Sequence, residues 1–146
     1  MDIPYSLIAP MVALVAWTIV VLFWAIIRIQ TAARRPHSGF DVNKMPAGTR
    51  ARDVEEHLPR EASWPRQNYE HLVEQPTLFY AIVTALALMQ SDHWLNVSLA
   101  WGYVGFRIIH SLQQIFGKVR AIGFVGSSLC LIALTVHGAI EVVYHL

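Results

Sequence analysis

The sequence predicts an all-α membrane protein, a four-transmembrane-helix bundle in one domain spanning 1–146. Three observations carry this. Apolar residues make up 55% of the chain and charged residues only 14%, whereas a soluble domain carries about 25% charge. Mean hydropathy is +0.42. Four stretches are nearly free of charge: 3–27, 75–91, 94–117 and 121–140, interrupted only by Arg107. A spanning helix needs about 20 apolar residues. Finally, ten of the eleven Lys and Arg residues fall in two segments that such a bundle places on one side, and the eleventh is Arg107.

The first span is expected over about 5–28. Its leading "MDIPYS" carries an acid and no Lys or Arg, so it reads as a retained span and not a cleaved leader. The connection over about 29–64 is broken by Pro36, Gly39, Pro46, Gly48 and Pro59, with a short interfacial helix expected in "ARDVEEHL". The second span is expected over about 66–91. Ser63 or Trp64 would cap it, with Pro65 in its first turn. A helix from Pro65 to Ser91 would be about 40 Å long at 1.5 Å per residue. That exceeds the roughly 30 Å hydrocarbon core, so its first turns would protrude into the inner interface, and Pro76 would kink it. The third and fourth spans are expected over about 94–116 and 119–143. "GYVGF" and "GFVGSS" supply small residues for close packing without fixing which helices meet.

Topology follows from the basic residues. Segment 28–70 and the 118–120 turn hold ten of them, while the N-terminus, the "SDHWLN" turn and the C-terminus hold none. The positive-inside rule places both termini outside and both basic loops in the cytoplasm. Tyr5, Trp94 and Tyr144 then mark the outer interface and Trp24 the inner one. Segment 28–70 is not a nucleic-acid surface: its eight basic residues are offset by six acids, leaving +2. Orientation and attraction to anionic lipid heads account for it. Cys130 is the only cysteine, so no intrachain disulfide forms, and mid-span it reads as a small buried apolar group.

Ionisable residues inside the membrane are the informative ones. Arg107 lies about 20 Å below the outer boundary and Glu74 about 25 Å below it. A Glu74–Arg107 pair is therefore within reach and would lower the burial cost of both. Arg107, His110, Ser111 and Gln114 form one helical stripe. Gln67, His71 and Glu74 form another, with Asn68 beside it. Lys118 and Arg120 begin span four at the same depth. Polar groups converging at one end of a bundle point to a charged ligand. Two arginines and a carboxylate suit a zwitterionic, net-anionic molecule, and glutathione is one. A further cation near its sulfur would favour the thiolate. A metal or haem is not expected, because no two histidines stand at i, i+4 and His110 and His137 lie far apart along the bundle. His137 and Glu141 are expected to pair locally. A transporter is disfavoured by the lack of an inverted repeat.

"EHLVEQPTLFYA", "FRIIHSL" and the four-span plan resemble the MAPEG superfamily, the membrane-associated proteins in eicosanoid and glutathione metabolism. The resemblance runs from the first span to the fourth and is clearest over 66–81 and 104–120, closest to bacterial members. It implies a homotrimer in a bacterial inner membrane, with periplasmic termini. It also implies glutathione as co-substrate in a cleft between subunits, attacking a hydrophobic small-molecule substrate or reducing a peroxide. Glu74 and Arg107 match the family's second-span glutamate and third-span arginine. His71 replaces an asparagine, and His110 replaces a tyrosine. Pro76 stands two residues after the glutamate where the characterised synthases have it three after. Arg120 is offset by about one position from the thiol-stabilising arginine, and Arg28 matches a first-span arginine. On this reading Arg28, Asn68, His71, Glu74, Arg107 and Gln114 bind the tripeptide, Arg120 stabilises the thiolate and His110 moves a proton. The alternative is a non-catalytic accessory subunit of a larger membrane complex, with Glu74–Arg107 as a structural clamp.

Overall fold

The computed structural model describes residues 3–35, 46–50, 53–54, 58–117, 119 and 121–146. Among these residues all regular structure is helical: α1 (Tyr5–Ala33), α2 (Arg60–Glu74), α3 (Pro76–Leu88), α4 (Trp94–Ile115) and α5 (Ala121–Tyr144). The helix of "ARDVEEHL" falls largely outside them. α2 and α3 form one arm, interrupted at Gln75, so the molecule has four arms. Three, namely α1, α2 with α3, and α5, are long and apolar enough to cross a membrane. α4 is long enough at 22 residues, about 33 Å. Its hydropathy is lowered by polar residues that face inward: Asn96, Arg107, His110, Ser111 and Gln114 are all buried.

The core is a set of narrow stripes. On α1, Leu7, Leu14 and Val21 are fully buried and recur every seventh residue. Val12, Val15, Ile19 and Phe23 on the remaining faces are exposed. A helix apolar all round with only one face buried in protein is built for lipid. Phe79, Val83 and Leu86 of α3 and Leu131 and Leu134 of α5 complete this core with Ala100, Tyr103 and Val104 of α4. Phe79 stacks on Tyr103, ring centroids 4.2 Å apart. Tyr5, Trp94 and Tyr144 stand exposed at one end, where Ser6 reaches Asp92. Trp24 packs edge-on to Phe116 at the other.

The second arm starts earlier than the sequence suggests. α2 begins at Arg60 behind Pro59, so Pro65 lies inside the helix, past the first turn. A proline has no N–H to offer the carbonyl four residues back, which here is that of Glu61. Arg28 Nη2 donates to that carbonyl at 3.3 Å. A donor from α1 thus replaces the one the proline lacks, and Glu61 in the first turn suits the helix dipole. Below this contact Ala33, Leu58 and Ala62 form a small second core with Val54. Pro76 interrupts the hydrogen-bond ladder at Gln75, but the Gln75 backbone stays helical, so α2 runs on into α3 as one arm.

α4 and α5 lie antiparallel in close contact, and glycines set their spacing. A methyl group on Gly123 would sit 2.6 Å from the His110 backbone, and one on Gly126 would sit 2.5 Å from the Phe106 ring. The small residues of "GFVGSS" therefore serve α4. At the outer end His137 does not pair with Glu141 as expected. Asn96 uses its Nδ2 on Ser91 O at 3.0 Å, which leaves its Oδ1 to accept from His137 Nδ1 at 2.9 Å. Glu141 instead approaches His145 Nε2 at 3.7 Å.

Candidate functional site

The last turn of α2 and the inner halves of α4 and α5 border an open cavity of about 510 Å³ lined by His71, Glu74, Gln75, Arg107, His110, Ala121 and Phe124. Ligand pockets run from about 300 to 1,000 Å³, so the size suits a small molecule.

Arg107 is the buried charge here, only 2% exposed. It does not form the expected ion pair with Glu74. Its Nη2 donates to the His71 carbonyl at 2.6 Å. This carbonyl is not the one that Pro76 leaves without a donor, which is that of Leu72; Arg107 takes its neighbour in the last turn of α2. The Arg107 guanidinium carbon also lies 6.0 Å from the Tyr103 ring centroid, at the outer limit of cation–π contact. Arg107 Nε has no hydrogen-bond partner among the described residues, so donors remain for a ligand. Glu74 points outward with its side chain 74% exposed, and its Oε2 lies 3.6 Å from His71 Nδ1. Its carboxylate lines the same cavity without touching the arginine.

The cavity gathers four of the sequence candidates: His71, Glu74, Arg107 and His110. His110 is buried, with its ring 6.3 Å from that of Phe124. The other candidates lie elsewhere. Asn68 is fully buried and bonded to Ser111, and Gln114 is buried one turn further in. Arg28 holds the Glu61 carbonyl, about 15 Å along α2 from His71. Arg120 lies outside the described residues, although Ala121 beside it lines the cavity.

Three lining residues escaped the sequence reading. Gln75 stands at i+4 from His71 beside the proline, which was a usable signal. Its Nε2 donates to Ser128 Oγ at 3.3 Å and its Oε1 is buried without a partner among the described residues. Ala121 and Phe124 carry no polar signal and are placed only by the register of α5 on α4.

The MAPEG family model matches residues 7–140, nearly the whole chain. The chain belongs to the MAPEG family. No curated protein and no solved structure matches it. Its apolar arms and this membership make it an integral membrane protein. As a MAPEG protein it carries its polar cavity at one end of the bundle, on the side of the basic loops, where Glu74 and Arg107 face one space from two helices.

Proposed function

We propose that this MAPEG protein is a membrane-embedded, glutathione-dependent transferase or peroxidase-like protein acting on hydrophobic electrophiles. It works as a homotrimer in a bacterial inner membrane, with periplasmic termini and a cytoplasmic main loop. The observation that carries the reading is the shared cavity. A cation with unused donors, a carboxylate and two imidazoles surround one space large enough for a small zwitterion. Arg107 would take a carboxylate and Glu74 an ammonium. The thiol proton would pass to His110, and the thiolate, stabilised by Arg120, would add to an activated C=C of an electrophile dissolved in the bilayer, forming a sulfur–carbon bond as the π bond breaks and the adjacent carbon takes the proton back from His110. The exposure of Glu74 supports assembly. A carboxylate 74% exposed at this depth is costly against lipid, and a neighbouring subunit together with a bound ligand would cover it.

The test is ultraviolet difference absorption on adding glutathione to detergent-purified protein. Thiolate absorption is expected in the wild type and is lost in Arg120→Ala. No signal in the wild type, or one unchanged in the variant, removes this mechanism.

One observation favours the accessory-subunit reading. The Arg107–His71 hydrogen bond at 2.6 Å ties α2 to α4, as a structural clamp would. That reading requires a stoichiometric foreign partner in a mild-detergent pull-down analysed by mass spectrometry, together with no glutathione binding.

A further inference from the structure

Two polar residues of α4 that do not reach the cavity, Ser111 and Gln114, belong to a second cluster at the side of α4 that meets α1 and α2. Asn68 and Ser111 are fully buried and Gln114 is 4% exposed. Trp17 Nε1 donates to Ser111 Oγ at 3.1 Å, and the Asn68 amide Nδ2 donates to the same oxygen. Both lone pairs of that hydroxyl are then used, and its proton is left without an acceptor. Turning the amide over lets Ser111 O–H donate to Asn68 Oδ1 and strands Nδ2 instead. In either orientation one atom of a fully buried amide lacks a partner among the described residues; as oriented here it is Oδ1. Gln114 leaves both its Oε1 and its Nε2 in that condition. Helix register brings these groups together. On α2, Trp64 meets Gly117 and Asn68 meets Ser111. Gln114, midway between 111 and 117, therefore comes level with the turn between Trp64 and Asn68.

Buried polar groups are nearly always hydrogen-bonded, and hydrocarbon supplies no substitute. A water molecule offers two donors and two acceptors, and buried waters typically make about three hydrogen bonds to such groups. We propose that ordered water is bound between Asn68, Ser111 and Gln114 and joins α2 to α4 as a hydrated latch. Asn68 precedes His71 by three residues and Ser111 follows Arg107 by four. The latch is thus one turn inward of the Arg107–His71 contact on both helices, and it sets the register at which the arginine meets the carbonyl. It stands whether or not the cavity takes a thiol.

Water-edited solid-state NMR of the full chain in bilayers tests this directly. The side-chain amides of Asn68 and Gln114 are expected to receive water magnetisation early, while the Val83 and Leu86 methyls stay dry. Amides as dry as those methyls would overturn the proposal. Gln114→Met supplies a second readout. With water bound, the variant strands its neighbours and its melting midpoint falls by at least about 3 °C. An unhydrated amide predicts no fall or a rise, because an apolar chain of similar shape removes an unmet need. That result would likewise overturn the latch.

Discussion

The inner half of α4 presents two polar faces, and what lies opposite each decides its character. Toward α5 the neighbour is glycine: Gly123 lets the helices close on the His110 backbone and leaves a cavity beside it where Glu74 is exposed. Toward α1 and α2 the neighbours are Trp17 and Asn68, both bonded to a fully buried Ser111, and Trp64, which packs against Gly117. Similar side chains make an accessible site on one face and a closed joint on the other. Polarity inside a membrane helix thus has two uses, and access distinguishes them. Arg107 stands between the two faces, lining the cavity while bonded to α2.

Substitutions can break this contrast from either side. The largest effect is expected from Gly123→Leu. Its side chain must displace the His110 backbone, so α5 separates from α4 with a loss of about 3 kcal/mol or more, read as a much lower melting midpoint and loss of cavity binding. Asn68→Leu opens the closed joint instead. It removes the Asn68–Ser111 hydrogen bond, leaves Ser111 with Trp17 alone and costs about 1–3 kcal/mol in the same melting experiment. Arg107→Met separates the readings further. The desolvation cost of a lone buried cation offsets the roughly 1 kcal/mol of its hydrogen bond to the His71 carbonyl, so stability should change by about 1 kcal/mol or less, while binding of a carboxylate ligand weakens on the order of tenfold to a hundredfold. The smallest change in stability belongs to Glu74→Gln. Its exposed contact with His71 is worth at most about 1 kcal/mol, so the melt should barely move while calorimetry shows weaker binding of an ammonium-bearing ligand.

The arms were legible in the sequence because lipid demands long uncharged runs; α5 follows its run, whereas α1 continues past Arg28 to Ala33. The start of α2 was not legible. Pro65 reads as a first-turn residue until Arg28, far away in sequence, supplies the donor it lacks. The cavity was half legible. Arg107, His110, Ser111 and Gln114 share a stripe by spacing alone, yet Ser111 stands about 100° around the helix from His110, enough to point them at different neighbours. Glu74 and Arg107 were correctly placed at similar depth, but depth says nothing about direction. Only the structure shows that the arginine takes the His71 carbonyl while the Glu74 carboxylate stays outward. Phe124 had no signal at all, since register set by a glycine is invisible in one helix.

The central claim is that the α5-facing side of Arg107 serves a ligand and its α2-facing bond is incidental to stability. Calorimetric titration of glutathione into detergent-purified wild type and Arg107→Met, with melting curves on the same samples, tests it most directly. The account predicts binding in the wild type, its loss in the variant, and melting midpoints that nearly coincide. Wild type that binds no glutathione, or a variant that collapses in the melt, would contradict it.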